Sequence, residues 1–398
     1  MKRVVIIGGG IAGTTLAESL ANANKENIQF EITLIEREMH PLYSRVLLPH
    51  YLRGQISRDR VFLKQESWYT SKGIEWMRGI EVRSIDSDHR FVLTSEGREI
   101  PYDILIIGAG GDVRLRQEDL QGMCYLRGID DADALLARAA RVHATGNSAR
   151  AVTLGSSFIA IEFINYLHKV ARFEVHALLR GSGFWAGMMN EVLQRAIAEH
   201  MIEQGVLLHT DLGDIHFEES GEGLCVRLGG ANLEDVGIAG IGIGIAPDFS
   251  MLADTDLEYS DVGIHVDEYL QTNIPDVYAI GDIAHYFDRR MNRHVTIGNW
   301  QNALMQGRYL AKLLLGERVP FDLVTSYATN ILGLEVTFIG DTVPAFADRI
   351  EVKIEEESHL QLFYRQDALV GAIIVGPAKI RTTLTKAITT KTQYGTST

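Results

Sequence analysis

Gly8-Gly9-Gly10-Ile11-Ala12-Gly13 stands directly behind the apolar run RVVII (residues 3–7), and this junction decides the fold. A short apolar run that ends in a glycine turn reads as a parallel strand buried on both faces. Thr14 to Ala23 then read as a helix with Leu16, Ala17 and Leu20 on one face, and EITLI (31–35) as the next strand. Together they make a βαβ unit. The turn has the spacing G-x-G-x-x-G. Gly8 permits the tight bend, Gly10 lets a pyrophosphate approach the backbone, and Gly13 lets helix and strand pack closely. The helix N-terminus supplies N–H donors and partial positive charge for phosphates, with Ile11 and Ala12 of the turn as candidate contacts. Glu36 closes the second strand 23 residues beyond Gly13, near the ~20 expected of a ribose-binding acid. Arg37 follows it. A glycine-rich turn beside a solvated glutamate would carry the triplet alone. Here strand, helix and acid fall in register and predict a dinucleotide site.

The pattern returns once. Ala151 to Leu154 read as a strand, Gly155 to Ala160 as a turn, Ile161 to Val170 as a helix, and Phe173 to Leu179 as a strand. In GSSFIA (155–160) serine replaces the second glycine and alanine the third. Alanine is permitted there, and the Ser157 hydroxyl can bond a phosphate. Phe158 and Ile159, in the same turn, are further candidate cofactor contacts. The second strand ends in Arg180 rather than an acid. An arginine suits a 2′-phosphate through a charge-assisted bond, which favours NADPH over NADH, although a solvated loop cation would look the same. Two strand-then-turn stretches bracket this second unit: YDILII into GAGG (102–111, with Ala109 and Gly110), and IAGIGIGI (238–245, with Gly244) into Ala246 and Pro247. The second unit therefore reads as inserted in the first. The chain returns to the first at VYAIGD (277–282), followed by a helix from about Trp300 to Leu315. From about Phe321 short alternating strands (LEVTFIGD, RIEVKIEE, LQLFYR, LVGAIIVG) predict a small antiparallel domain. Lys379 to Lys391 read as a last helix, and QYGTST (393–398) as a frayed end.

Composition bounds what such a chain does. Its 398 residues suggest two or three domains. A net charge of −14 argues against nonspecific nucleic-acid binding, which needs a basic surface. Two cysteines, Cys124 and Cys225, make no CxxC pair; they exclude a disulfide framework and a neighbouring dithiol relay, and a reduced cytoplasm is the simplest compartment. Lys2 and Arg3 before an apolar run imitate a signal peptide, but the run is too short to span a membrane and enters the glycine turn at once. No later stretch is long and apolar enough to cross one. The 13 histidines show no metal-ligand spacing.

Seven segments together carry a resemblance: GGGIAG with Glu36, YSRVLLPHYLRG (43–54), YDILIIGAGG (102–111), GSSFIAIE (155–162), GIGIAPD (242–248), TNIPDVYAIGD (272–282) and NWQNALMQGR (299–308). In this order they resemble the FAD-dependent pyridine nucleotide oxidoreductases, in the branch of NAD(P)H:rubredoxin and ferredoxin reductases and the flavin domain of nitrite reductases. The resemblance implies an α/β fold of two Rossmann-like nucleotide-binding domains, the second inserted in the first, with a small α+β C-terminal domain. Residues 1–115 and 246–320 would bind FAD, 116–245 NADPH or NADH, and 321–398 would form a carrier surface or a homodimer contact. It implies that Asp282 bonds the ribityl chain and that the helix at Trp300 and Gln301 aims its N-terminus at the flavin N1–O2 edge. Arg45 would lie against the flavin or its phosphates, Ala109 near the adenine, and Glu162 near the nicotinamide. Val82, Gly110, Gly155 and Gly244 complete the implied cofactor contacts.

Two departures from the family pattern matter. Where disulfide reductases carry a CxxC beside the flavin, this chain has Tyr43, Ser44 and Arg45, so thiol chemistry is not expected. Where many ferredoxin-reductase relatives carry a lysine, it has His50. His50 is expected to pair with Glu162 and to couple a proton to electron transfer; an ordinary helix histidine is the alternative. The expected activity is hydride transfer from NAD(P)H to flavin, with electrons passed on to rubredoxin or ferredoxin. Lys379, Arg381, Lys386 and Lys391 form a local positive run that would steer an acidic carrier. An NAD(P)H oxidase or quinone reductase, and a redox-sensing flavoprotein or electron-transfer subunit, are the rival readings.

Overall fold

A computed structural model describes residues 1–24, 30–145, 150–221 and 223–391. The expected frayed end, 393–398, lies outside the described residues. Contacts divide the chain into two compact units: 1–47, 56–112 and 245–323 in one, 48–55, 113–244 and 324–398 in the other.

In the first unit five parallel strands run in the order Val277–Ala279, Ile104–Ile107, Lys2–Ile7, Phe30–Glu36 and Ile74–Arg78. Val4 faces Ile32 on one side and Ile104 on the other. Both faces of the central strand are covered, which is why it is apolar from Val4 to Ile7: Val4 and Ile6 are fully buried and Val5 nearly so. The helix after the turn runs Ile11–Ala23, three residues longer at its start than the sequence predicts, because Gly10 itself serves as the extended N-cap. A second helix, Trp300–Leu314, crosses the first closely: a Cβ on Gly307 would meet the Ala12 carbonyl oxygen at 2.3 Å. A three-stranded antiparallel sheet (Val82–Asp86, Phe91–Thr94, Glu99–Pro101) and a four-stranded sheet that includes Gly263–Val266 and Ala284–Asp288 complete this unit.

The second unit repeats the plan. Leu207–His209, Glu174–Leu178, Arg150–Leu154 and Asn232–Ile241 are parallel neighbours in that order, and the antiparallel strands Gly223–Arg227 and His216–Ser220 extend the edge. The helix after the turn is α-helical over Phe158–Ile164 and π-helical over Asn165–Val170. The same unit holds a five-stranded antiparallel sheet ordered Ser326–Ile331, Leu334–Gly340, Ala368–Val375, His359–Arg365 and Arg349–Ile354. Four of these strands match the alternating runs. The fifth, SYATNI, is polar enough to have escaped notice. Asn165 clamps the sheet to the helix: its amide donates to the Asn330 carbonyl at 2.7 Å, and its side-chain oxygen accepts the Leu332 N–H at 2.9 Å. The last helix is Arg381–Thr390. Among the described residues no helix is long and apolar enough to cross a membrane.

Candidate functional site

The first glycine turn is built as the spacing requires. Gly8 has φ +101, and a Cβ there would sit 2.3 Å from the Gly108 carbonyl oxygen. A Cβ on Gly13 would sit 2.1 Å from the Gly8 oxygen, so only glycine allows the helix this close to the strand. Gly10 is different: nothing lies within 4 Å of where its Cβ would be. Its bareness serves no contact within the chain and leaves open ground over the first helical turn. The helix has no side-chain cap, so Ile11, Ala12 and Gly13 begin it with no cap residue answering their N–H groups.

Glu36 comes to this turn because it is the last residue of its strand. Its carboxylate accepts the Gly9 N–H at 2.5 Å and the Glu38 N–H at 2.9 Å. Burial, helped by the Glu38 charge, holds this carboxyl above its ordinary value against the opposing pull of the two backbone N–H groups and Arg45. Arg45 is bound to Glu38 at 2.5 Å, and Glu38 also accepts the Tyr43 hydroxyl at 2.7 Å. Arg37 turns outward to Asp112, also at 2.5 Å. Val82 is a core side chain, 7% exposed, so only its backbone remains for a ligand. Ala109 and Gly110 follow the strand Ile104–Ile107, with Gly110 at φ +68.

Asp282 lies in the tight turn Gly281–Ile283. That turn is fixed by Gln306, fully buried, whose side-chain oxygen accepts the Gly281 N–H at 2.7 Å. Asn299 caps the helix at Trp300 by accepting the Asn302 N–H at 2.8 Å. The remaining amide donors of Gln306 and Asn299 are buried and have no partner among the described residues. Sequence reasoning missed both; the only signal was their place in NWQNALMQGR. An open backbone at Gly10, a carboxylate at the strand end and two buried donors awaiting acceptors fit an adenine dinucleotide.

In the second unit Gly155 has φ +129, and its Cβ would sit 2.1 Å from the Gly242 oxygen. Gly242 in turn packs on Ala160, with a would-be Cβ 2.6 Å from the Ala160 nitrogen. Ser157 is the N-cap, but its side chain makes no capping bond. Phe158 joins an aromatic cluster with Trp185, Tyr327 and Phe338, ring centroids 5.2–5.4 Å away. Ile159 is half-buried, Leu179 buried, and Arg180 exposed at the end of the strand. Gly244 has φ +99 with open space around it.

Glu162, in this same unit, meets Arg53 rather than His50. Arg53 Nη1 lies 3.8 Å from Glu162 Oε2. The expected pairing with His50 is corrected here: the exposed His50 ring bonds Gln55 at 2.7 Å. The helix Leu48–Leu52 is only five residues long, and the turn after it folds Gln55 back onto the His50 carbonyl. That leaves the longer Arg53 to reach the acid. Burial pushes the Glu162 carboxyl up to about 7, against the opposing pull of Arg53 and a hydrogen bond from Asn165. A carboxyl raised in the folded chain keeps its proton where the unfolded chain has lost it. It therefore contributes stability below about pH 4.5 that is lost as pH rises to about 7. Between roughly pH 5 and 8 the unfolding free energy of Glu162→Gln, read from urea denaturation, is expected to fall less than that of the wild type, by on the order of 2 kcal/mol. Parallel pH profiles would refute this.

Burial raises both thiols, Cys124 to about 11 and Cys225 above its ordinary value. Neither is a thiolate near neutral pH. Among the described residues no group of three or more His, Cys, Asp or Glu is arranged to hold a metal ion.

The family described as pyridine nucleotide-disulphide oxidoreductase matches residues 2–307. Nitrite reductase [NAD(P)H] of Bacillus subtilis is 26% identical over 94% of the chain, which spans about half of that protein (46%). Rubredoxin-NAD(+) reductase of Pseudomonas putida is 26% identical over 92% of the chain and 94% of its own length. Among solved structures, the reductase of the covalent putidaredoxin reductase–putidaredoxin complex superposes with a TM-score of 0.88 over 98% of this chain and 93% of that one, at 24% identity.

Proposed function

This chain belongs to the pyridine nucleotide-disulphide oxidoreductase family, whose members use FAD and NAD(P)H, and we propose that it takes hydride from NAD(P)H and passes the electrons to a small redox protein of the rubredoxin or ferredoxin kind. The observation that carries this reading is the pair of glycine turns, one in each unit, combined with two cysteines that form no pair. Two dinucleotide sites imply a donor and a cofactor, and two free cysteines that form no pair leave the electrons no exit through a disulfide.

The residues divide the work. At the first turn the bare backbone of Gly10 and the first N–H groups of the helix receive a pyrophosphate, while Glu36 accepts from the adenosine ribose. Asp282, held in place by Gln306 through Gly281, accepts from the ribityl chain. The helix at Trp300 directs its partial positive charge at the edge of the ring where negative charge gathers. At the second turn Gly155 and Ser157 receive the nicotinamide dinucleotide, and the exposed Arg180 pairs with a 2′-phosphate. Bound FAD supplies the two-electron acceptance and one-electron release that no side chain provides. The balance is one NADPH giving NADP+, a proton and two electrons, one to each of two carriers.

Arg180→Ala is expected to raise the KM for NADPH roughly tenfold and leave that for NADH within twofold, the size of one lost charge-assisted bond. Equal changes for both nucleotides would remove Arg180 from the reading. The carrier is tested by turnover. NADPH oxidation coupled to cytochrome c is expected to depend on added rubredoxin or ferredoxin. Fast NADPH consumption in air with no carrier present would instead favour an oxidase.

A further inference from the structure

Trp185 is held in a way that packing within the chain does not explain. Its φ is +51, a left-handed backbone that bulky residues rarely adopt. The turn is nonetheless firmly tied: the Trp185 N–H donates to the Ser156 carbonyl at 3.1 Å, and its own carbonyl accepts from Met188 and Met189 at 2.8 and 2.9 Å. Ser156 belongs to the second glycine turn, so the strained residue is fastened to the loop that receives a dinucleotide in the reading above. Its side chain is 6% exposed and packs against Phe158 and Phe338 at 5.2 and 5.4 Å between ring centroids. These neighbours offer carbon, while the indole Nε1–H is buried with no hydrogen-bond partner among the described residues. An N–H withdrawn from water without an acceptor is unfavourable, and phenylalanine would fill much of the same space without that penalty. Strain and an orphaned donor thus coincide at one residue whose backbone is bonded to the turn.

We propose that Trp185 is a nucleotide-binding residue whose indole N–H donates a hydrogen bond to an oxygen of the bound nicotinamide dinucleotide and positions it on the Gly155 turn. The proposal rests on the reading of that turn as the nicotinamide-nucleotide site. It adds a specific donor that lies outside the glycine motif, 25 residues beyond Ala160 in the chain.

The test uses the flavin-loaded protein with 15N-labelled indoles. The chain has four tryptophans, and the indole resonance missing from Trp185→Phe is that of Trp185. On titration with NADP+ that resonance is expected to move downfield in both proton and nitrogen. Trp185→Phe is expected to bind NADP+ about five- to tenfold more weakly, the size of one hydrogen bond, with its flavin content unchanged. Parallel titrations with 2′,5′-ADP and with nicotinamide mononucleotide show which half carries the accepting oxygen, since that half alone reproduces the shift. A Trp185 resonance that stays put while NADP+ binds the wild type, or equal affinity in Trp185→Phe, overturns the proposal. Wild-type protein that binds neither NADP+ nor NAD+ overturns the reading of the site itself, and the proposal with it.

Discussion

Gly13→Val is expected to yield a colourless protein. A Cβ at Gly13 would lie 2.1 Å from the Gly8 carbonyl oxygen and 3.0 Å from the Ile6 side chain. The first obstacle is backbone in the turn itself and cannot rotate away. The helix must withdraw from the strand, at a cost of at least ~2 kcal/mol, toward the upper range of overpacking penalties. Withdrawal also moves the first-turn N–H groups off the phosphates. Gly10→Ala separates the two effects. No atom of the chain stands within 4 Å of that Cβ, and the backbone φ of −63° suits alanine. The apoprotein should keep its thermal midpoint, yet FAD affinity should fall by about 100-fold or more because the methyl group stands where the pyrophosphate approaches. The ratio of flavin to protein absorbance after purification, set beside the melting temperature of the apoprotein, checks both. A Gly10→Ala protein that stays fully yellow would mean the open ground is not the phosphate site.

Gly155→Val has the second large effect, with the opposite pattern. Its φ of +129 is closed to a β-branched residue, and its Cβ would stand 2.1 Å from the Gly242 oxygen. The damage is local to the second turn, so the protein should remain yellow. Flavin bleaching by NADPH should slow by about 100-fold or more, equivalent to ~3 kcal/mol of lost positioning. Retained bleaching would place hydride delivery elsewhere.

Much of this was legible because the glycine turns are local. Gly8 to Gly13 needs only its own strand and helix, and Glu36 arrives at the turn because a parallel strand of seven residues ends there. What escaped depends on distance or on conformation. Arg53 and Glu162 are 109 positions apart and meet through packing, and a five-residue helix has too few turns to show which face carries the partner. Gln306 looks like any polar residue on an amphipathic helix until the Gly281 N–H is found against it. The positive φ of Trp185 has no sequence signature at all. The polar strand Ser326–Ile331 lacked the alternation by which the other four C-terminal strands were read.

The central claim is that the chain takes hydride from NAD(P)H onto a bound flavin. Anaerobic stopped-flow of the purified protein, mixed with NADPH and then NADH and followed at the flavin band near ~450 nm, tests it most directly, the chromophore being the cofactor's own. Rapid bleaching, faster at low concentration with NADPH than with NADH, is the predicted result. A yellow protein that neither nucleotide bleaches would contradict the account.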